Sequence, residues 1–235
     1  MRRSRSLALG AFTALPLAAQ QASPPALVTR RDAWVAVSAL AVTAAALPLD
    51  QTLRDAMQRR GVQRSRVAGQ SADLFNVWGS PGVFVASGAL WAVGAARHDT
   101  TLIRVGKTSL LGIVLASGVT AGGKYTFGRA RPYLSPNDPF NARAFRGGED
   151  GYTSFPSGHT TAAFAFASAT SAVLRDRRTP HRRAMTVALY SAAALTGAAR
   201  MYRDRHWASD VVAGASVGTL GGWLAARWEA RHAWR

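Results

Sequence analysis

Six uncharged apolar stretches alternate with polar segments along this 235-residue chain. None shows the period-2 alternation of a half-buried strand, and each is long enough to form a helix rather than a core strand. Ala, Gly, Ser and Thr are frequent in them, which favours close packing between helices. The pattern predicts an all-α fold, a six-helix bundle. The stretches are 33–49, 78–96, 108–123, 160–174, 184–199 and 211–226.

The length of these stretches indicates a membrane protein. Each has 15 to 19 residues, slightly fewer than the ~20 of a typical membrane-spanning helix. Small residues allow close helix packing within lipid, although a tightly packed soluble bundle would use them too. We therefore favour a membrane-embedded bundle, with a soluble exported bundle as the alternative.

The N-terminus has the layout of an export signal. Residues 1–22 combine a basic start, a short apolar run and small residues near the end, which is typical of a secretory signal peptide. An uncleaved N-terminal anchor is the alternative. The apolar stretches that follow are expected to form one helical domain over residues 33–230.

The charge of the chain is strongly positive and almost entirely due to arginine. The formal net charge is +17, and among the 29 basic residues only Lys107 and Lys124 are lysines. This balance indicates an anionic partner, which could be nucleic acid, anionic lipid or a phosphorylated substrate. Nucleic acid is disfavoured because no basic stretch is interleaved with aromatic residues. The chain has no cysteine, which excludes disulfides, thiolate chemistry and cysteine-based metal sites.

Two long polar segments separate the apolar stretches. Residues 50–77 are predicted to form an amphipathic or surface helix. Gly122 and Gly123 are expected to end the third helix as a C-cap, so that residues 124–158 form a long connection rich in Gly, Pro and Asn. A loop of that length in a compact bundle is uncommon and usually functional.

Three short blocks are predicted to meet at one end of the bundle. Stretches 160–174 and 184–199 would each rise about 22–24 Å as helices, and the turn at 175–183 joins them as an antiparallel hairpin. The start of the first and the end of the second then lie together, and the long loop can bring in the remaining block. The blocks are KYTFGRARP with Lys124 and Arg131, PSGH with Ser157, Gly158 and His159, and ARMYRDRHWASD with Arg200, His206 and Asp210.

The residue types in these blocks suit a phosphate group. One lysine and two arginines supply three positive charges, and the arginine fork matches a tetrahedral oxyanion. Backbone N–H groups at a helix start, here those of Ser157 and Gly158, also bind anions. Two histidines and a carboxylate are the groups that nucleophilic and acid–base catalysis require. His159 stands where it could protonate the leaving oxygen of a bound phosphate.

The pattern of the three blocks is similar to a known signature. Lys-x6-Arg-Pro, Pro-Ser-Gly-His and Arg-x5-His-x3-Asp, in this order, resemble the type 2 phosphatidic acid phosphatase (PAP2) superfamily, which also contains bacterial class A acid phosphatases and vanadium-dependent haloperoxidases. The match runs from Lys124 to Asp210. It departs at Ala199, where the family usually has Ser before the Arg, so the anion site lacks one hydroxyl.

The resemblance implies a role for each residue. His206 would attack phosphorus and carry a phosphohistidine, and Asp210 would hold its imidazole in the right tautomer. His159 would protonate the leaving alcohol and then activate the water that releases phosphate. No metal ion or other cofactor is expected, because a cationic site stabilises the charge. The phosphoryl oxygens would be held by Lys124, Arg131, Ser157, Gly158 and Arg200.

These expectations describe a metal-independent phosphatase for a phosphate monoester or pyrophosphate of a membrane lipid, such as phosphatidate, phosphatidylglycerol phosphate, undecaprenyl pyrophosphate or a lipid A phosphate. The alternatives are a soluble exported acid phosphatase or a vanadium-dependent haloperoxidase of the same superfamily. A non-catalytic protein is disfavoured because every expected chemical group is present. The sequence does not indicate whether the protein is a monomer or an oligomer.

The arginine-rich turn predicts the orientation in the membrane. Residues 175–183 contain five Arg and one Asp, and basic loops stay in the cytoplasm. The three blocks would then face the periplasm or exterior of a bacterial-type inner membrane. Counting back over five spans places residue 33 in the cytoplasm, whereas a cleaved signal peptide would leave it outside. Either 33–49 does not cross fully, or the leader stays attached, or the bundle is soluble.

Overall fold

The fold is helical, as the apolar pattern predicts. The computed structural model describes residues 26–145 and 150–232, and the predicted signal peptide at 1–22 lies outside them. Within the described residues, extended structure is limited to one isolated antiparallel bridge between Arg129 and Ala142. The α-helices are α1 Arg30–Ala46, α2 Asp50–Met57, α3 Arg60–Gln63, α4 Arg66–Val77, α5 Val83–Arg97, α6 Thr100–Phe127, α7 Gly158–Asp176, α8 Arg182–Tyr202 and α9 Ala208–His232, and short 3₁₀ helices cover Leu47–Leu49 and Asp150–Tyr152.

The predicted count of six helices is not confirmed. Each apolar stretch lies mainly in one long helix, but the polar segment 50–77 forms α2, α3 and α4 rather than a single surface helix. A π-helical segment, Trp78–Gly82, joins α4 to α5 and contains Pro81. Proline removes a backbone donor and bends a helix, so α4 and α5 form one kinked unit.

The third long helix continues past the predicted C-cap. Gly122 and Gly123 lie inside α6, which ends at Phe127 and is capped by Gly128 in the left-handed conformation with φ of 51°. Gly123 is needed for close approach, because a Cβ there would lie 2.8 Å from Pro156 Cδ. As a result Lys124 stands on the last helical turn, where its position is fixed by the helix and not by a loop.

Helix α7 lies at the centre of the bundle and packs against α6, α8 and α9. Glycines on α9 let its backbone approach α7, since a Cβ on Gly214 would lie 2.6 Å from the carbonyl oxygen of Ser157. A Cβ on Gly222 would be equally close, 2.6 Å, to that of Ala165. This is the small-residue packing that the composition indicated.

The hairpin of α7 and α8 sets the geometry of the site. Helix α7 ends at Asp176 and α8 begins at Arg182, so the turn between them lies within the predicted 175–183. The two helices run antiparallel and pack against each other. The first turn of α7 and the last turn of α8 therefore meet at the same end of the bundle.

Among residues 26–145 and 150–232, three helical segments are long and apolar enough to cross a membrane: Arg30–Met57, Arg66–Arg97 and Thr100–Phe127. Large apolar side chains on them face outward, including Leu40 at 72% exposure and Val119 at 62%. Side chains of this kind are stable in contact with lipid but costly in contact with water. We therefore treat these three segments as membrane spans.

Candidate active site

The structure brings the three predicted blocks together at one end of the bundle. The charges of Lys124, Arg131 and Arg200 all act on the His159 side chain, and His206 does so as well. These groups come from separate elements, so their proximity depends on how the helices pack. They occupy the end of α6, the following loop, the start of α7, the end of α8 and the loop before α9.

Two of the predicted phosphate-binding cations contact the same residue. Lys124 Nζ donates to the carbonyl oxygen of Thr153, and Arg131 Nη2 donates to the Thr153 hydroxyl at 2.9 Å. The backbone N–H of Arg131 is itself fixed by the carbonyl of Gly151 at 2.8 Å. The loop before α7 thus spaces two cations that lie seven positions apart in the sequence.

Arg200 is the third predicted cation and is 8% exposed. Its Nη1 donates to the amide oxygen of Asn76, at the end of α4. Within residues 26–145 and 150–232, its buried Nε has no hydrogen-bond partner. An unsatisfied buried donor of a charged group is costly, and an oxyanion bound in the site would satisfy it.

The start of α7 is tied to neighbouring residues through Ser157. The backbone N–H of Ser157 donates to the carbonyl oxygen of Asp210 at 3.0 Å, and its hydroxyl is paired with that of Thr160 at 2.9 Å. Ser157 therefore joins α7 to α9 in this structure. Gly158 lies beside Lys124, because a Cβ there would be 3.9 Å from Lys124 Cε.

The buried His206 is oriented chiefly by a backbone carbonyl. Its Nδ1 is 2.7 Å from the carbonyl oxygen of Ser154 and 3.7 Å from Asp210 Oδ2. A carbonyl only accepts hydrogen bonds, so Nδ1 carries the proton and Nε2 keeps its lone pair. Burial lowers the pKa of His206 to about 4, against the opposing effect of Asp210. The imidazole is therefore neutral at ordinary pH.

Asp210 belongs to a buried polar network that the sequence analysis missed. Its Oδ1 accepts from Arg129 Nη1 at 2.6 Å, and its Oδ2 accepts from the Ser154 hydroxyl at 2.5 Å. Arg129 Nη2 donates to Asp50 Oδ2 at 2.7 Å, across 79 positions of sequence. Arg129 lies inside the KYTFGRARP block, which could have drawn attention to it, but no sequence signal marks Asp50 as its partner.

A cavity of about 270 Å³ opens beside the site. It is bounded by Lys124, Gly158 and His159 on one side and by Phe84 of α5 and Ser117 of α6 on another. Both α5 and α6 belong to membrane spans. In residues 26–145 and 150–232, no group of three or more His, Cys, Asp or Glu side chains is arranged to hold a metal ion.

Known proteins share the fold and the sequence pattern. A lipid A 1-phosphatase from Porphyromonas gingivalis is 40% identical over 116 residues, which are 48% of this chain and 21% of that protein. The chain thus matches about a fifth of the length of this curated relative. The crystal structure of Aquifex aeolicus LpxE has a TM-score of 0.56 and 23% identity, covering 75% of this chain and 94% of that chain.

A second solved structure covers more of the molecule. The transmembrane PAP2-type phosphatidylglycerolphosphate phosphatase from Bacillus subtilis has a TM-score of 0.64 and 18% identity, over 86% of this chain and 96% of that chain. At these identities the two structures show a common fold. The sequence profile of the PAP2 superfamily matches residues 106–234, more than half of the chain. The chain therefore belongs to the PAP2 superfamily.

Proposed function

We propose that this protein is a membrane phosphatase that hydrolyses a phosphate monoester or pyrophosphate of a lipid through a phosphohistidine intermediate. The observation that carries the proposal is a buried neutral imidazole, His206, whose proton is held on Nδ1 by the Ser154 carbonyl at 2.7 Å. Its other nitrogen is free to act as a nucleophile. The charges of Lys124 and Arg200 act on the same imidazole, as expected for a phosphate-binding site.

In the first step, His206 Nε2 forms a bond to phosphorus while the bond from phosphorus to the leaving oxygen breaks. His159 protonates that oxygen, so the alcohol or phosphate leaves in its neutral or monoprotonated form. Burial and the neighbouring cations lower the pKa of His159 to about 3, and the negative charge of a bound phosphate raises that pKa again so that the imidazole can carry this proton. Lys124, Arg131 and Arg200 stabilise the charge on the phosphoryl oxygens. In the second step, His159 takes a proton from a water molecule while the oxygen of that water attacks phosphorus. The bond between phosphorus and His206 Nε2 then breaks, and inorganic phosphate is released.

A lipid substrate is supported by the position of the cavity at the site. It extends from Lys124 and His159 to Phe84, which lies on a membrane span and is 37% exposed. A lipid could therefore present its phosphate to the cations while its apolar part stays among the spans. The names of the relatives, a lipid A 1-phosphatase and a phosphatidylglycerolphosphate phosphatase, also refer to lipid phosphates.

We further propose that the active site faces the periplasm of an inner membrane. The turn between α7 and α8 lies at the end of α7 opposite His159, and the five arginines of segment 175–183 lie in this turn and in the helix ends beside it. Loops rich in arginine stay in the cytoplasm. A soluble exported acid phosphatase is less compatible with the exposed apolar faces of α1 and α6.

The test is phosphate release from a panel of lipid and soluble phosphates by the full chain in detergent, with EDTA and without added metal. Activity is expected to persist, with lipid phosphates preferred. Loss on chelation that one divalent ion restores would contradict the mechanism. Halide oxidation by peroxide in the presence of vanadate, without phosphate release, would favour the haloperoxidase alternative.

The division of labour between the histidines is tested with alanine variants. His206→Ala should abolish turnover of every substrate, while His159→Ala should accumulate an acid-labile phosphohistidine. Acid catalysis contributes roughly 10²–10⁴-fold, so His159→Ala should lose more with a lipid phosphate than with an activated aryl phosphate. His232→Ala is the matched control, because His232 lies at the other end of α9. Equal losses on both substrates, with no trapped intermediate, would overturn the assigned roles.

A further inference from the structure

We infer that Asp50 is a positioning residue of this site: through Arg129 it preserves the negative charge that Asp210 presents to His206. The inference rests on the phosphatase function proposed above. Asp50 is the first residue of α2 and lies outside residues 106–234, which match the superfamily profile. A helix that precedes the matched segment would thus contribute to the chemistry of the site.

Arg129 connects the two carboxylates and also donates from Nη1 to the Ser209 hydroxyl at 2.7 Å. Its Nη1 donates to Asp210 Oδ1 at 2.6 Å and its Nη2 to Asp50 Oδ2 at 2.7 Å. Its Nε donates to the carbonyl oxygen of Pro139 at 2.8 Å. The guanidinium also lies over the ring of Trp207, 5.6 Å from its centroid. Such a guanidinium has little freedom to move toward a substrate.

Asp50 is completely buried, at 0% exposure. Besides Arg129, it contacts Ser209 in the first turn of α9, whose backbone N–H donates to Oδ1 at 2.8 Å and whose hydroxyl donates to Oδ2 at 2.6 Å. Hydrogen bonds from a helix start and from a guanidinium are favourable partners for a carboxylate. Asp50 therefore fixes both the start of α9 and one side of Arg129.

The charges of the network explain why a second carboxylate matters. Asp210 alone would be neutralised by Arg129 at 2.6 Å, and His206 would then face an ion pair with no net charge. Asp50 binds the opposite side of the same guanidinium at 2.7 Å. Two carboxylates and one guanidinium leave one net negative charge, and Asp210 places it 3.7 Å from Nδ1 of His206.

That negative charge is useful in the first chemical step. When Nε2 of His206 bonds to phosphorus while Nδ1 keeps its proton, the imidazole ring becomes positively charged. Charge interactions are strong in a buried site, where water does not screen them. The net negative charge of the Asp50–Arg129–Asp210 network therefore stabilises the phosphohistidine and the transition state that leads to it. The cations that bind phosphate are not part of this network.

The experiment compares kcat, KM and vanadate inhibition for an aryl phosphate, using the full chain in detergent. Asp50→Asn keeps the size and one acceptor but removes the charge. It should lower kcat about ten- to hundredfold, the range typical when an outer partner of an oriented imidazole is lost. KM and the inhibition constant for vanadate should change less than about twofold, since the phosphate-binding residues are unchanged.

A double variant restores the charge balance. Asp50→Asn with Arg129→Met leaves Asp210 as the single charge of the network, so the net charge is again negative. It should recover most of the kcat lost by Asp50→Asn alone. Glu229→Gln is the control, because Glu229 also binds an arginine, Arg104 at 2.6 Å, but near the C-terminus of α9. It should leave kcat unchanged.

A role in folding alone would give a different result. If Asp50→Asn keeps the wild-type kcat, or weakens vanadate binding in parallel with kcat without recovery in the double variant, the inference is overturned. Ser209→Ala removes the hydroxyl that donates to Asp50 and accepts from Arg129 Nη1 at 2.7 Å, but it removes no charge, and its kcat should stay within about threefold of wild type. A loss as large as that of Asp50→Asn would also overturn it. A wild type that releases no phosphate would instead overturn the proposed function.

Discussion

Two buried arginines at the same end of the bundle are held in opposite ways. Arg129, 7% exposed, contacts the carboxylates of Asp50 and Asp210. Arg200, 8% exposed, donates to the neutral amide of Asn76, and in the described part of the chain its Nε has no partner. The two side chains are removed from water to the same degree, so they differ in their partners and not in their burial.

The difference separates a cation paired within the protein from one that we propose to bind phosphate. A buried charge is tolerated when it is paired and hydrogen-bonded, and Arg129 meets both conditions within the protein. Arg200 is hydrogen-bonded to Asn76 but has no carboxylate partner among the residues that the structure describes, and an oxyanion in the site would supply both a negative charge and further hydrogen-bond acceptors. The two arginines therefore differ because carboxylates lie next to Arg129, whereas a neutral amide lies next to Arg200.

Removing Arg129 should have the largest effect, and the effect should fall on stability. Arg129→Met leaves Asp50 and Asp210 buried without their shared cation, which typically costs about 3–5 kcal/mol. Thermal unfolding in detergent should show a large drop in Tm. The double variant that also carries Asp50→Asn removes one of the two stranded charges and should be more stable than Arg129→Met. An unchanged Tm would show that Arg129 is not a structural cation.

Removing Arg200 should affect activity and not stability. Arg200→Ala deletes a cation that we propose to bind the phosphoryl group, and loss of one such group costs about 10²–10³-fold in rate. We expect kcat/KM to fall by this factor and vanadate inhibition to weaken, while Tm stays at or above the wild-type value. Arg200→Lys should recover only part of the activity, because lysine lacks the planar fork. A fall in Tm as large as that of Arg129→Met would remove the distinction between the two arginines.

The pH dependence of phosphohistidine formation should show a smaller effect. Burial lowers the pKa of His206 to about 4, so its neutral, nucleophilic form persists to lower pH than that of an exposed histidine with a pKa of about 6.5. In the His159→Ala background, single-turnover phosphorylation at pH 5.5 should stay within about twofold of its value at pH 7, after correction for ionisation of the substrate. An exposed histidine would lose about tenfold.

The smallest effect is expected at the position that departs from the family pattern. Ala199 is 3% exposed and precedes Arg200 in α8. A serine there can bond to the backbone carbonyl one turn earlier in the helix, so its hydroxyl need not reach the phosphate. Ala199→Ser should change KM and vanadate inhibition less than about threefold. A tenfold decrease in KM or in the inhibition constant for vanadate would show that the missing hydroxyl limits anion binding.

Parts of the site follow from local sequence and parts do not. The spacing of the three blocks and the similar lengths of α7 and α8, 19 and 21 residues, bring His159 and Arg200 to one end, and this could be predicted because helices are regular. The direct partner of His206 could not be predicted, since a backbone carbonyl carries no sequence signature. Likewise, Asp50 and Arg129 are 79 positions apart, and residue types alone do not reveal such a pair.

The sequence by itself determined the helical class, the family and a set of candidate residues for the site, because these depend on composition, periodicity and short spacings. The tertiary structure decided which cation is available and which is neutralised, because that depends on distances between side chains from different helices. It also decided that α6 continues through Gly122 and Gly123 to Gly128. A glycine pair permits a helix end but does not impose one, and the contact of Gly123 with Pro156 favours the continuous helix that holds Lys124 in the site.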